Sequence, residues 1–245
     1  MIQSQQCLVL RTIKYGETSL IATALTRDKG VQTFMLKGVR KGTRNRSPRA
    51  GLWQPSSQLQ LVAYNRPGQN MHLVREFEPA LLYETIGEDI VKNSVAVFAI
   101  EILLRLLPPD APAPEVFDFA TAFLRDADRL PRDSCAHLPL YFLIHCGSLM
   151  GYAVSGNYSE RTPYLDLTEG GFTEYPPVAG TPLSDNDVRL MNIFLTAPTL
   201  FDTVTVMAPT DARQRVLDWY LAFLQRHTQH LGNIRSLPVL RSVLH

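Results

Sequence analysis

Six cations crowd the thirteen residues from Lys37 to Arg49: Lys37, Arg40, Lys41, Arg44, Arg46 and Arg49. Gly38 and Gly42 among them leave the backbone free to come close to a polyanion. The run lies inside residues 29–75, a window of 47 with nine Lys/Arg and no Asp or Glu. Neutralising phosphates releases condensed counterions, so the log–log salt slope for a single strand steepens by about 0.7 per phosphate contacted. Arg11 and Lys14 before the run and Arg66 after it carry the same sign. Tyr15, Phe34, Trp53 and Tyr64 are aromatics on which bases could stack, at about 1–3 kcal/mol each. Phe34 and Trp53 read better as core, which leaves Tyr64 as the exposed stacking candidate. Charge runs are commonly plain solvated loops, but a long acid-free window around one favours a surface for a phosphate chain. No base-reading helix accompanies it, so the expected recognition is sequence-tolerant.

Other chemistry finds little support. The nucleophile-elbow, phosphate-loop, dinucleotide and zinc-protease motifs are all missing, so no enzyme is expected. Two-metal nuclease chemistry wants clustered carboxylates beside the phosphate site, and residues 29–75 hold none. Cys135, His137, His145 and Cys146 look like a zinc set until distance is applied. On a continuous helix the two cysteines stand roughly 16 Å apart, while one tetrahedral ion needs every ligand within about 2.3 Å. Core packing is the simpler reading, and no cofactor is expected. Asp166, Glu169 and Glu174, close to Gly170-Gly171, read as solvated hairpin residues.

The elements that position the cations follow from patterning. The chain has 245 residues and a net charge of +1, a total that hides two halves. Residues 1–80 carry twelve Lys/Arg against four Asp/Glu, and residues 81–245 carry twelve against nineteen. Residues 7–14, 19–26, 31–37, 58–64 and 71–77 read as five short strands, enough for a small closed or nearly closed barrel. Along the third, Gln32, Phe34 and Leu36 alternate with Val31, Thr33, Met35 and Lys37. Helical spacing then takes over at residues 81–107, 114–130 and about 139–150. Ser184 caps a helix to about Leu195, and Thr210-Asp211 opens a long one to His230. A hairpin at about 158–177 interrupts the helices, turning at Thr168-Glu169-Gly170-Gly171. The fold class is therefore α+β, with a barrel domain at 1–78 and a helical domain at 79–245.

Three cysteines cannot make a disulfide framework. The first residues lack the basic flank and apolar run of a leader, and the uncharged stretch Leu138–Ser159 is broken by Pro139, Gly147 and Gly151. It reads as a core helix and turn. A cytoplasmic chain with no membrane association is expected, and the Asn45 and Asn157 glycosylation patterns carry no meaning there.

Leu10-Arg11-Thr12, Tyr15-Gly16-Glu17-Thr18, Ile21, Thr26, Gly30, Lys37-Gly38-Val39-Arg40-Lys41, Gln54-Pro55 and Leu59-Gln60-Leu61 resemble, in order and spacing, the N-terminal domain of the RecO family. The resemblance extends by architecture over the helical remainder. It implies an OB-fold barrel and a nucleoid-associated DNA repair and recombination mediator. Such a mediator binds single- and double-stranded DNA and anneals complementary strands. With its partner RecR it loads RecA onto strands coated with single-stranded-DNA-binding protein, whose acidic C-terminal tail it also docks. Arg11, Lys37, Arg40, Lys41 and Arg44 match the family's basic barrel residues. Lys14, Arg46, Arg49, Tyr64 and Arg66 complete the candidate nucleic-acid contacts. Many relatives carry a four-cysteine zinc module after the helix at 139–150; here only Cys146 lies nearby, so zinc is not carried over and the hairpin takes its place. The residues contacting RecR or the acidic tail do not map from sequence. Two other readings remain open: an RNA-binding barrel of translation or RNA processing, and a protein–protein adaptor whose basic loop grips an acidic partner.

Overall fold

The computed structural model describes residues 2–40, 49–64, 70–178, 182–229 and 231–244. Strands β1 (Ile2–Tyr15), β2 (Ser19–Thr26), β3 (Gly30–Leu36), β4 (Gln58–Tyr64) and β5 (Met71–Leu81) close a barrel in the order β1-β2-β3-β5-β4. Every pairing is antiparallel except that of β3 with β5.

Alternation decides what faces inward. Gln32, Phe34 and Leu36 of β3 are buried while Thr33 and Met35 remain half-exposed, the two faces expected from the pattern. Leu20, Ala22 and Ala24 of β2 and Leu59, Leu61 and Ala63 of β4 fill the interior beside them. Trp53, between β3 and β4, is 1% exposed and meets Phe77 edge-to-face at 5.3 Å, a geometry worth about 0.5–1.5 kcal/mol beyond burial. In β1 the register shifts between Val9 and Arg11, so Leu8, Val9 and Leu10 are buried in succession. The loop after Trp53 ties that bulge down: Val9 N–H donates to Ser57 O and Ser56 N–H donates to Val9 O, both at 2.9 Å. Beyond the bulge Arg11, Ile13 and Tyr15 point outward.

The chain forms two compact units. The barrel unit is Met1–Glu84 together with Leu107–Arg125; the helical unit is Thr85–Leu106 with Asp126–His245. The boundary expected at Glu78-Pro79 falls inside β5, because Pro79 and Leu81 still pair with β4. Residues 107–125 return to the barrel. Asp110 N–H donates to Val31 O at 3.1 Å, and Arg27 holds Asp118 with two bonds of 2.8 and 2.9 Å. Gly30 is the hinge of this docking: at φ +68° an added Cβ would stand 2.0 Å from Ala111 O.

Helices α1 (Ile90–Leu106), α2 (Pro114–Arg129), α3 (Leu138–Leu149), α4 (Asp185–Thr196), α5 (Phe201–Val204), α6 (Thr210–His227) and α7 (Leu237–Val243) supply the rest. In the helical unit α1, α4 and α6 pack against α3, which is apolar on nearly every side and buried for most of its length. The first helix starts at Ile90 rather than 81. Asp89 there accepts the N–H groups of Val91 and Lys92 at 2.8 and 3.1 Å, an N-cap that the helical spacing of Leu82 and Ile86 masks. Ser184 caps α4 as expected. The long helix stops at His227, where Thr228 is already extended, and α7 lies beyond every sequence signal. The hairpin pairs β6 (Tyr164–Asp166) with β7 (Gly171–Thr173), and Gly170 sits against the Phe223 ring of α6. Among the described residues no helix is long and apolar enough to cross a membrane.

Candidate nucleic-acid interface

Three of the predicted cations meet at one end of the barrel. Lys14 pairs with Leu20 of β2, Leu20 pairs with Leu36 of β3, and Lys37 follows Leu36 directly. Arg40 closes the group. Its backbone N–H donates to Thr18 O at 2.9 Å and its guanidinium to Gly16 O at 3.1 Å, so the chain after β3 is tied to the β1–β2 turn. Tyr15, 54% exposed, stands in the same turn. Gly16 and Gly38 make both turns possible, at φ +57° and +68°. Among the described residues Arg11, Lys14, Lys37 and Arg40 meet no carboxylate at ion-pairing distance. Glu17, exposed in the turn, is the one acid beside them in sequence.

Other predicted positions lie elsewhere. Arg11 faces outward three residues earlier on β1, opposite Thr23. Arg49 stacks over the Phe77 ring at 4.2 Å and donates to the Phe77 carbonyl. It covers the barrel beside Trp53 and is not joined to the Lys14–Lys37–Arg40 group by any described contact. Tyr64 ends β4, paired with Leu73 and Ile2. Lys41, Arg44, Arg46 and Arg66 lie outside the described residues. Phe34 and Trp53 are core.

The sequence reading missed an apolar outward row. Ile13 pairs with Ile21, Ile21 with Met35, and Met35 with Leu73. Each side chain is outward and at least partly exposed. The signal for outward apolar residues was available in the triplets Leu20-Ile21-Ala22 of β2 and Phe34-Met35-Leu36 of β3: with successive side chains on opposite faces, the middle residue of each must face out when its neighbours face in.

In the helical unit a small, half-open apolar cleft lies among α3, α6 and α7. Leu140, Leu217, Leu240 and Leu244 line it, with Arg213 and Arg241 at its edge. Arg213 donates to Ala208 O and Thr210 Oγ1 at 2.8 and 2.9 Å, and burial lowers its pKa. Arg241 pairs with Asp218, yet its buried Nε–H has no partner among the described residues.

The cysteines are core groups. Burial pushes Cys135 up to about 11 and Cys146 up to about 12, and it raises Cys7 further; thiols held protonated are poor ligands. His145 Nε2 lies 3.2 Å from Phe194 O, and burial lowers both His137 and His145. Among the described residues no group of three or more His, Cys, Asp or Glu could hold a metal.

A closed five-stranded barrel of this order, with β3 parallel to β5 and cations gathered at one end, defines an OB-fold protein. Comparison with known proteins narrows this. Residues 1–83 match the family model described as Recombination protein O N terminal, and residues 87–238 match Recombination protein O C terminal. The chain is 25% identical to a protein named DNA repair protein RecO from Phocaeicola vulgatus, over 99% of both chains. It is 25% identical to one of the same name from Christiangramia forsetii, again over 99% of both. A third so named, from Salinibacter ruber, is 30% identical over 72% of this chain and 68% of its own. The chain belongs to the recombination protein O family.

Proposed function

We propose that this protein is a DNA repair and recombination mediator without bond-breaking chemistry of its own. The barrel binds single- and double-stranded DNA and promotes annealing by concentrating and screening two strands on one cationic surface. With RecR it helps load RecA onto strands coated with single-stranded-DNA-binding protein, in the cytoplasm at the nucleoid. The observation that carries this reading is the Lys14–Lys37–Arg40 group, free of carboxylate partners among the described residues, with Lys37 and Arg40 inside the acid-free window 29–75. Family membership supports it.

The cleft among α3, α6 and α7 suits the acidic tail. Arg213 and Arg241 on its lining would meet carboxylates of the tail, beside the apolar surface of Leu140, Leu217 and Leu240.

Anisotropy of labelled single-stranded DNA over a salt series tests the DNA reading. Changing Lys37, Arg40, Lys41 and Arg44 together to Ala is expected to weaken binding for every sequence. The log–log slope should flatten by about 0.7 for each phosphate no longer neutralised. Unchanged affinity and slope would reject the reading. Equal-length RNA competing better than DNA would favour an RNA module, and a nuclease-resistant protein complex with no DNA affinity would favour an adaptor.

A further inference from the structure

We infer that His72 makes closure of the barrel acid-sensitive: a proton taken up by its buried ring releases the seam between β3 and β5 while the other strand pairings hold. The inference stands on the barrel unit alone and does not depend on what the barrel binds.

The seam is where the barrel is closed most sparingly. Among the described residues β3 and β5 pair at three positions, Thr33 with Met71, Phe34 with His72 and Met35 with Leu73. Each of the four antiparallel pairings runs over seven or eight. The seam is also the one parallel pairing, a geometry slightly less stable per residue. His72 stands at its middle and is 7% exposed. Its ring tilts against that of the fully buried Phe34 at 5.9 Å.

A short chain of polar groups reaches the ring through the barrel. Gln5 of β1 donates from Nε2 to Gln32 Oε1 at 3.5 Å, and Nε2 of the buried Gln32 lies 3.3 Å from His72 Nε2. The other ring nitrogen, Nδ1, is buried with no partner among the described residues. A neutral imidazole carries one N–H and an imidazolium two. Whichever way the Gln32 amide is turned, it serves a single ring nitrogen. The charged ring therefore leaves a donor and a net charge buried without a partner, which the closed barrel resists.

Two charged groups bear on the ring. Lys29 of the β2–β3 turn, whose ammonium donates to Gln3 Oε1 of β1, opposes a second positive charge there. Asp110, whose N–H donates to Val31 O at 3.1 Å, favours it. Burial, first, and Lys29 outweigh Asp110, and the ring's pKa lies below its ordinary value. With the seam open the ring meets water and takes its proton at about 6.5; with the seam closed it does so only at lower pH. The seam is thus fully held above about 6.5 and loses its hold as pH falls toward the closed-state value. Opening leaves β3 and β5 with unpaired backbone edges.

Hydrogen exchange of the full chain, corrected for intrinsic rates, is compared at about pH 7.5 and about pH 5.5, either side of the ordinary histidine value. Protection of the amides of residues 33–35 and 71–73 that point into the seam is expected to fall about threefold or more on acidification. Amides joining β1 to β2 and β2 to β3 are expected to keep theirs. His72→Phe, which cannot take a proton, is expected to hold seam protection level; should it fail to fold, the uncharged His72→Gln is read the same way. The His72 ring resonances of the unsubstituted protein are expected to titrate below the ordinary value. Seam protection indifferent to pH, an equal fall in every strand, a fall that persists without His72, or a ring titrating at or above the ordinary value would each overturn the inference.

Discussion

The barrel unit and the helical unit use their charged residues differently. In the helical unit arginines are tied to acids: Arg215 to Asp187 and Asp211, each at 2.7 Å, Arg189 to Asp185 at 2.8 Å, and Arg105 to Glu101 at 3.3 Å. The barrel unit ties Arg27 and Arg75 in this way, but it leaves Arg11, Lys14, Lys37 and Arg40 without carboxylate partners among the described residues. A net charge of +1 therefore describes neither unit. One set of cations holds a fold together; the other is available to a ligand.

The contrast breaks first at the backbone. Gly30→Ala places a Cβ against the Ala111 carbonyl at a positive φ, which is expected to cost at least about 2 kcal/mol, read as a fall in the urea midpoint of the barrel. An unchanged midpoint would mean that residues 107–113 do not hold to the barrel as described.

The ion pairs sharpen it next. Asp187 is 1% exposed at its side chain. Burial would raise its pKa, but the bonds from Arg215 and Ser184 prevail and lower it. A lowered carboxyl stabilises fully above its unfolded value of about 4 and loses that contribution as pH falls through the folded value. Arg215→Ala leaves the buried Asp187 charge unpaired and is expected to lower the denaturant midpoint at neutral pH, by less than loss of a fully buried partner would because Arg215 is half-exposed. Its pH dependence should reverse: with burial alone raising Asp187, the deficit against the unsubstituted protein shrinks on acidification. Arg27→Ala in the barrel unit, whose pair with Asp118 is exposed on both sides, is expected to shift the midpoint less than Arg215→Ala does. Equal losses at the two sites, by denaturant titration, would erase the contrast.

Strands were largely readable because a narrow barrel imposes period two. Gln32, Phe34 and Leu36 went inward as their alternation says, and Ser184 announced α4. The start of α1 was not, since Leu82 and Ile86 keep helical spacing although Asp89 begins the helix. The return of residues 107–125 to the barrel depends on Gly30 and on Asp118 reaching Arg27, contacts across 81 and 91 positions of sequence. The cationic run was plain, yet its grouping of Lys14 with Lys37 and Arg40 comes from register through Leu20 and Leu36. The apolar row was hidden for the same reason. Periodicity tells which face a residue takes but not its neighbour on the next strand.

The most direct test removes the same charge from two places. Lys14, Lys37 and Arg40 changed together to Ala is compared with Arg129, Arg161 and Arg226 changed together to Ala, the latter all exposed in the helical unit. Each protein is titrated against labelled single-stranded DNA from low to high salt. The barrel triple is expected to flatten the log–log slope by about 2, at about 0.7 per phosphate, and the helical triple to leave it as it was. Equal slopes for the two triples would show that net charge, and not its gathering on the barrel, holds the strand.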